Sequence, residues 1–314
     1  MVKILTIFCV TFSRDLAPTT IPSQEDANGV ILPTCPGSHE YNSSVTLGIG
    51  DVRTIFSRLL TQRSSNLNMN TAKPFLILQL RPEDDTSDNE FAAILKYGGI
   101  DPADTHRLRI EQTGIPELSL DDYAAVIVGG SPFDISTPQE QKQPIQVKIE
   151  SDFKRLFDSI VSRDIPFLGA CSGCGLLGSY LGTPISKQFG EPVGGAIVAV
   201  TDDGRRDDLL ADFPDQIAVL CGHKEACDHL PQGATLLLTG DACPVQMFRI
   251  GNNVYATQFH PEGDGAGFTV RIHAYKNHGY FPADEADSLI EEVNREDTPY
   301  AREILRRFVR RYQG

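Results

Sequence analysis

The chain has 314 residues, 40% of them hydrophobic, with 28 basic and 42 acidic side chains and a formal net charge of -14. That suits one large α/β domain, alone or with appendages, and the negative charge argues against non-specific nucleic-acid binding and against anionic membrane surfaces. No apolar run approaches the ~18 residues of a membrane span, and seven scattered cysteines, an odd number, make no disulfide framework and fit a reducing cytoplasm.

Residues 1–72 stand apart. They hold five basic and five acidic residues, so the whole negative charge lies after Ala72. Seventeen of them are Ser or Thr, with no sustained hydrophobic period. Val2 to Val10 has the length of a signal-peptide core, but no small-residue cleavage site follows closely. The segment is expected to be an N-terminal extension without fixed structure. Met69 is the only Met between Met1 and Met247, so residues 1–68 are candidates for an upstream extension of the native chain.

Phe75 to Leu80 is a continuous apolar run, the pattern of a central parallel strand. A helix is predicted from Asn89 to Tyr97 on the spacing of Phe91, Ile94 and Leu95, with Asp88 as cap and Gly98-Gly99 as stop. His106 to Ile110 and Tyr123 to Val128 read as the next strands. The latter runs into Gly129-Gly130-Ser131-Pro132, where glycines let backbone N–H groups approach a ligand or simply turn the chain. Ile145 to Val161 reads as a long helix.

Ile165 to Ala170 is again a strand, and it ends at Cys171. The spacing Gly169-x-Cys171-x-Gly173 is that of a nucleophile elbow with sulfur in place of hydroxyl. A residue in a tight strand-to-helix turn needs small neighbours, and a helix N-terminus favours a thiolate. The bland alternative is a small buried cysteine. Short strands follow at 196–200, 217–220, 234–238, 245–249 and 254–258, an antiparallel excursion. The last leads into His260-Pro-Glu262, which puts two side chains on one side of a strand end. His260 can take a proton from Cys171, and Glu262 can orient the imidazole. Helices are predicted at 268–275, 285–293 and 300–311, the last opened by Thr298-Pro299. Its five arginines read as a solvated face. Alternating strands and helices imply a three-layer sandwich about a mixed, mostly parallel sheet.

Gly-Ala-Cys171-Ser-Gly followed by Gln-Phe-His260-Pro-Glu262 resembles the class I glutamine amidotransferases of the Cys-His-Glu type. The resemblance runs from about Lys73 to about Ala274 and looks closest to the glutaminase domain of GMP synthase. It implies an amidotransferase domain over 73–275, with a C-terminal helical appendage at 276–314. It implies that glutamine is the substrate and that Cys171, His260 and Glu262 form a triad. It also implies that the Gly130 N–H, with Gly129 beside it, and the Ser172 N–H form an oxyanion hole. His223-Lys-Glu225 resembles the family segment that lines the glutamine pocket; a solvated loop is the alternative. One departure stands out. The family's elbow continues to a Gln that contacts substrate, and here that position is Gly175. His223 or Glu225 is a candidate replacement. No metal or cofactor is required for amide hydrolysis of this kind. The chain contains no G-x-x-x-x-G-K phosphate loop, so a synthetase using the ammonia is expected on another chain.

Three other readings compete. Cys171-Ser-Gly-Cys174 is also a C-x-x-C redox spacing, and Cys221, His223, Cys227 and His229 offer zinc-ligand types without the usual paired spacing. A γ-glutamyl hydrolase or peptidase would use the same triad, and a non-catalytic regulator could keep the same fold.

Overall fold

The computed structural model describes residues 73–314, together with two short antiparallel strands, Gln24–Glu25 and Ile31–Leu32. The expectation for the rest of 1–72 lies outside the described residues. Asn70–Gly314 forms one compact unit.

Its centre is a nine-stranded mixed sheet. The strands are β1 (Phe75–Gln79), β2 (Thr105–Arg109), β3 (Val126–Val128), β4 (Phe167–Ala170), β5 (Glu191–Val200), β6 (Gln216–His223), β7 (Thr235–Thr239), β8 (Met247–Ile250) and β9 (Val254–Thr257). Their spatial order is β2-β1-β3-β4-β9-β8-β7-β5-β6. The first five run parallel, and from β9 onward each neighbour is antiparallel. The antiparallel excursion expected after the elbow is therefore an extension of the same sheet. It returns the chain to β9, which pairs in parallel with β4, Ala170 opposite Thr257.

Strands β1, β3, β4 and β9 of the parallel half are buried on both faces, which is why most of them read as apolar runs, whereas the edge strand β2 is only partly buried. Phe75 and Ile77 of β1 face a core that includes Ile304, Leu305, Phe308 and Val309 of α6 (Pro299–Tyr312) and Ile94 of α1 (Asp84–Gly98). Leu76 and Leu78 face the opposite core, with Phe153 and Phe157 of α2 (Pro144–Arg163) and Leu176 and Leu177 of α3 (Ser172–Tyr180). Alternating side chains of one strand thus build two layers of core, and the three-layer sandwich follows.

A third, smaller core joins Phe268 and Ile272 of α4 (Gly265–Tyr275) to Ala286 and Val293 of α5 (Ala286–Val293) and to Leu220 of β6. The segment expected as an appendage, 276–314, thus supplies α6 as part of the main sandwich. Its apolar stripe is at most 1% exposed from Ile304 to Val309 at the core positions. The arginine face is only partly solvated: Arg307 donates to the Ala211 carbonyl at 2.6 Å and Arg311 to the Tyr255 hydroxyl at 3.1 Å. Helix α1 begins five residues before the predicted start. Glu83 is its N-cap position, and Asp88 lies inside the helix.

Candidate active site

Strand β4 delivers Cys171 to the sheet's carboxyl edge, the usual binding side of an open α/β sheet. Cys171 has φ 52° and ψ -100°, a strained backbone for a residue with a side chain. The strain is held by close packing. A Cβ at Gly169 would lie 2.8 Å from the carbonyl carbon and oxygen of Gly173, and one at Gly173 would lie 3.2 Å from Val128. The Cys171 N–H donates to the Thr257 carbonyl at 2.8 Å, which ties the elbow to β9.

Just past β9, the His260 N–H donates to the Leu220 carbonyl of β6 at 3.0 Å. His260 Nδ1 and Glu262 Oε1 are 2.7 Å apart. Since a carboxylate accepts, Nδ1 carries the proton and Nε2 is left as the basic nitrogen. Arg271 of α4 binds the same Glu262 oxygen at 2.8 Å. His260 and Cys171 line one cavity.

The electrostatics follow from burial. Burial pushes the Cys171 thiol up to about 11, and the Glu262 charge adds to that; Arg81, Arg271 and the Ser172 N–H pull it back. Burial also lowers the His260 imidazole below its usual range, against the pull of Glu262. Burial pushes the Glu262 carboxyl up, but His260 and Arg271 outweigh it and hold it far below the usual range. Near neutrality the site therefore rests as a neutral thiol beside a neutral imidazole and a charged carboxylate.

The oxyanion expectation needs a correction at Gly130. Its N–H donates to Glu90 Oε1 at 3.1 Å, and the Gly129 N–H is bonded to the Leu78 carbonyl. Glu90 is fully buried on α1 and is paired with Arg81 at 2.7 Å. Arg81 reaches the cleft: a Cβ on Gly130 would lie 2.4 Å from its Nη2 and 2.7 Å from His260 Cε1. Ser131, the next loop residue, lines the cavity and, among the described residues, its N–H has no partner. The Ser172 N–H opens helix α3 directly after Cys171 and lowers the thiol's pKa.

A second cavity opens on the other side of Cys171, lined by Asp134, Gly175, His223, Lys224 and Glu225 among others. Neither candidate replacement for the family Gln is free. His223 faces the Glu191 carboxylate at 2.9 Å through Nε2 and the Glu225 carbonyl at 3.1 Å through Nδ1. The Glu225 carboxylate accepts the N–H groups of Ile135 and Ser136. A Cβ on Gly175 would lie 2.8 Å from Ile135 Cδ1, so the Ile135 side chain fills the space where a longer residue would start. Lys224 and Asp134 on the same wall pair with each other at 2.8 Å.

The competing motifs do not assemble. Cys174 and Cys227 are both buried in the same core. Cys221 points at the Pro192 carbonyl, and His229 binds Thr183. Glu90, His260 and Glu262 come within metal-ligand range of one another. Both carboxylates already face guanidinium groups, Arg81 and Arg271, which a cation would have to displace. Arg81, Glu90, Arg271 and Tyr280 were not singled out from the sequence. Glu90 and Arg271 lie within helices α1 and α4, whereas Arg81 follows β1 and Tyr280 lies in a loop, so no common spacing marks them in the sequence.

Comparison with known proteins identifies the family. Residues 96–273 match the sequence model of the glutamine amidotransferase class-I family, more than half of the chain. The chain belongs to the class I glutamine amidotransferases. A GMP synthase (glutamine-hydrolyzing) of Bacillus velezensis is 32% identical over 120 residues, 38% of this chain and 23% of that protein. One from Bacillus mycoides is 28% identical over 106 residues, 33% of this chain and 20% of that protein. The chain thus spans about a fifth of the length of these relatives. A crystal structure of a glutamine amidotransferase from Thermotoga maritima superposes with a TM-score of 0.60 at 24% identity, over 76% of this chain and 97% of the other. One from Methylobacillus flagellatus gives 0.57 at 17% identity, over 77% and 96%. These two establish the class I amidotransferase fold. Among the described residues, no helix is long and apolar enough to cross a membrane.

Proposed function

We propose that the chain is a glutaminase of the amidotransferase type. The observation that carries this reading is the 2.7 Å His260–Glu262 contact beside Cys171, held at a strained strand-to-helix turn. The Cys171 thiol attacks the side-chain amide carbon of glutamine. His260 Nε2 takes the thiol proton as the S–C bond forms. The developing oxyanion is met by the Ser172 N–H and by the Ser131 N–H, which takes the place expected of Gly130. Collapse of this intermediate breaks the C–N bond, and His260 returns the proton to the departing ammonia. Water, deprotonated by His260, then hydrolyses the thioester to glutamate and frees Cys171. Glu262 holds the imidazole tautomer and balances the imidazolium, and Arg271 fixes Glu262. Ammonia passes to an acceptor on a separate synthetase chain. The seven cysteines fit work in a reducing cytoplasm.

The test is glutamate release from glutamine by the full chain beside Cys171→Ala. Loss of about 10⁴-fold or more in the variant is expected for a nucleophile. Equal release by both proteins would remove Cys171 from the chemistry. No release by either, with no labelling of Cys171 by a thiol-reactive glutamine analogue, would remove glutamine as substrate.

A further inference from the structure

The two cavities beside Cys171 share four wall residues: Ser131, Cys171, Gly222 and Tyr280. Tyr280 is the only large side chain among the four. It belongs to the segment between α4 and α5, beyond the residues that match the family. It is half-buried, while Lys276 to Gly279 before it and Pro282 to Glu285 after it are exposed. The Lys224 ammonium lies 4.6 Å from the centre of its ring, and Lys224 is itself held by Asp134. The Tyr275 ring lies 5.8 Å away, tilted by 38°. The ring thus packs against Lys224 and Tyr275 in the wall beside the cysteine, while Phe281 next to it packs on the third core.

The cavities differ in what they can receive. The one containing His260 is walled by Phe268, Ile272 and Phe281, and it is where a leaving amine must collect its proton. The other mixes apolar wall from Ile135 and Ile185 with the Lys224–Asp134 pair, and that pair suits a charged α-amino-acid head. They enclose only about 40 and 30 Å³. One water needs ~10–15 Å³ by this measure, so each takes a few molecules the size of water or ammonia. Tyr280 is the large side chain that stands between them.

We propose that Tyr280 is the specificity gate of the site. Its ring swings aside to admit a γ-glutamyl amide. Once returned, it leaves the His260-side cavity large enough for ammonia and too small for a bulky amine. The proposal rests on reading Cys171 as a γ-glutamyl nucleophile, and it selects primary amides over γ-glutamyl peptides and anilides. Tyr280 acts by shape and takes no part in bond making.

Two readouts test it on the full chain. The first is alkylation of Cys171, followed by peptide mass spectrometry, with iodoacetamide as small reagent and N-phenylmaleimide as bulky one. Tyr280→Ala is expected to raise the bulky-to-small rate ratio by about tenfold or more, Tyr280→Leu by less, and Tyr280→Phe hardly at all, since it keeps the ring. The second is hydrolysis of γ-glutamyl-p-nitroanilide against glutamine, whose ratio should shift toward the anilide by a similar factor in Tyr280→Ala. An unchanged alkylation ratio in both Tyr280→Ala and Tyr280→Leu overturns the gate, as does an unchanged substrate ratio in an active enzyme. A shifted alkylation ratio in a chain that hydrolyses neither substrate supports the gate and sinks the γ-glutamyl reading instead.

Discussion

The two sides of Cys171 are built by different means. On one side, the proposed nucleophile and base follow strands that are neighbours in the sheet, β4 and β9, whose register runs from Phe167 opposite Val254 to Ala170 opposite Thr257 and is closed by the backbone bond from Cys171 to Thr257. On the other side, the wall is assembled from three distant loops, around Ser131 to Ser136, Gly222 to Glu225 and Tyr280, joined by side-chain contacts. Chemistry is fixed by the scaffold. Selection of substrate rests on contacts that a few substitutions can redraw.

The contrast can be broken hardest at Glu262. Glu262→Gln should cut glutamine turnover by roughly 10³–10⁴-fold, as when a triad carboxylate loses its charge. It also leaves Arg271 buried without its partner, so a fall in stability of about 3–5 kcal/mol is expected by denaturant titration. A variant that kept full stability would show that Arg271 does not depend on Glu262. Gly169→Ala attacks the same side through packing alone. Its Cβ meets backbone of Gly173, which cannot rotate away, so a loss of ~1–3 kcal/mol is expected with Cys171 displaced.

The pH dependence gives a smaller and more selective signal. His260 must be neutral to accept the thiol proton, and burial lowers its pKa. Activity should therefore hold as pH falls through 7 and decline only below the ordinary histidine value of ~6.5. A kcat/KM profile with its acid midpoint above 7 would contradict a buried, neutral base. Stability carries the same sign: the unfolded imidazole binds the proton more readily, so the folded state loses ground as pH drops below that value.

The smallest effect should come from the substrate wall. Gly175→Gln alone meets Ile135 and should lower stability modestly, about 1–3 kcal/mol. Adding Ile135→Ala clears the space, so the double variant should recover part of that loss. A double variant no better than the single one would mean that Ile135 is not what fills the Gln position.

The same division decided how much could be read from the sequence. Gly169-x-Cys171-x-Gly173 and His260-x-Glu262 are local patterns with local causes, and β1, β4, β9 and α6 announced themselves by apolar runs and a helical stripe. Helix α1 was predicted too short because its first turns, Asp84 to Asp88, carry no apolar period, although Thr86, Ser87 and Glu90 are buried as polar groups. Strand β5 runs from Glu191, masked in the sequence by Pro192 and by Gly194-Gly195. The Arg81–Glu90 pair and its hold on the Gly130 N–H join residues that no spacing rule connects.

The pairing of β4 with β9 also orders events in time. Everything from the elbow helix through β8 lies between these two strands in the chain, so their register closes a long loop and forms late. Until β9 arrives, β4 is an unprotected apolar edge ready to pair with another molecule. Emergence of the residues beyond β8 from the ribosome is then the step that both covers that edge and brings His260 into the cavity of the thiol. A chain stopped short of Val254 is therefore expected to be prone to aggregation as well as inert.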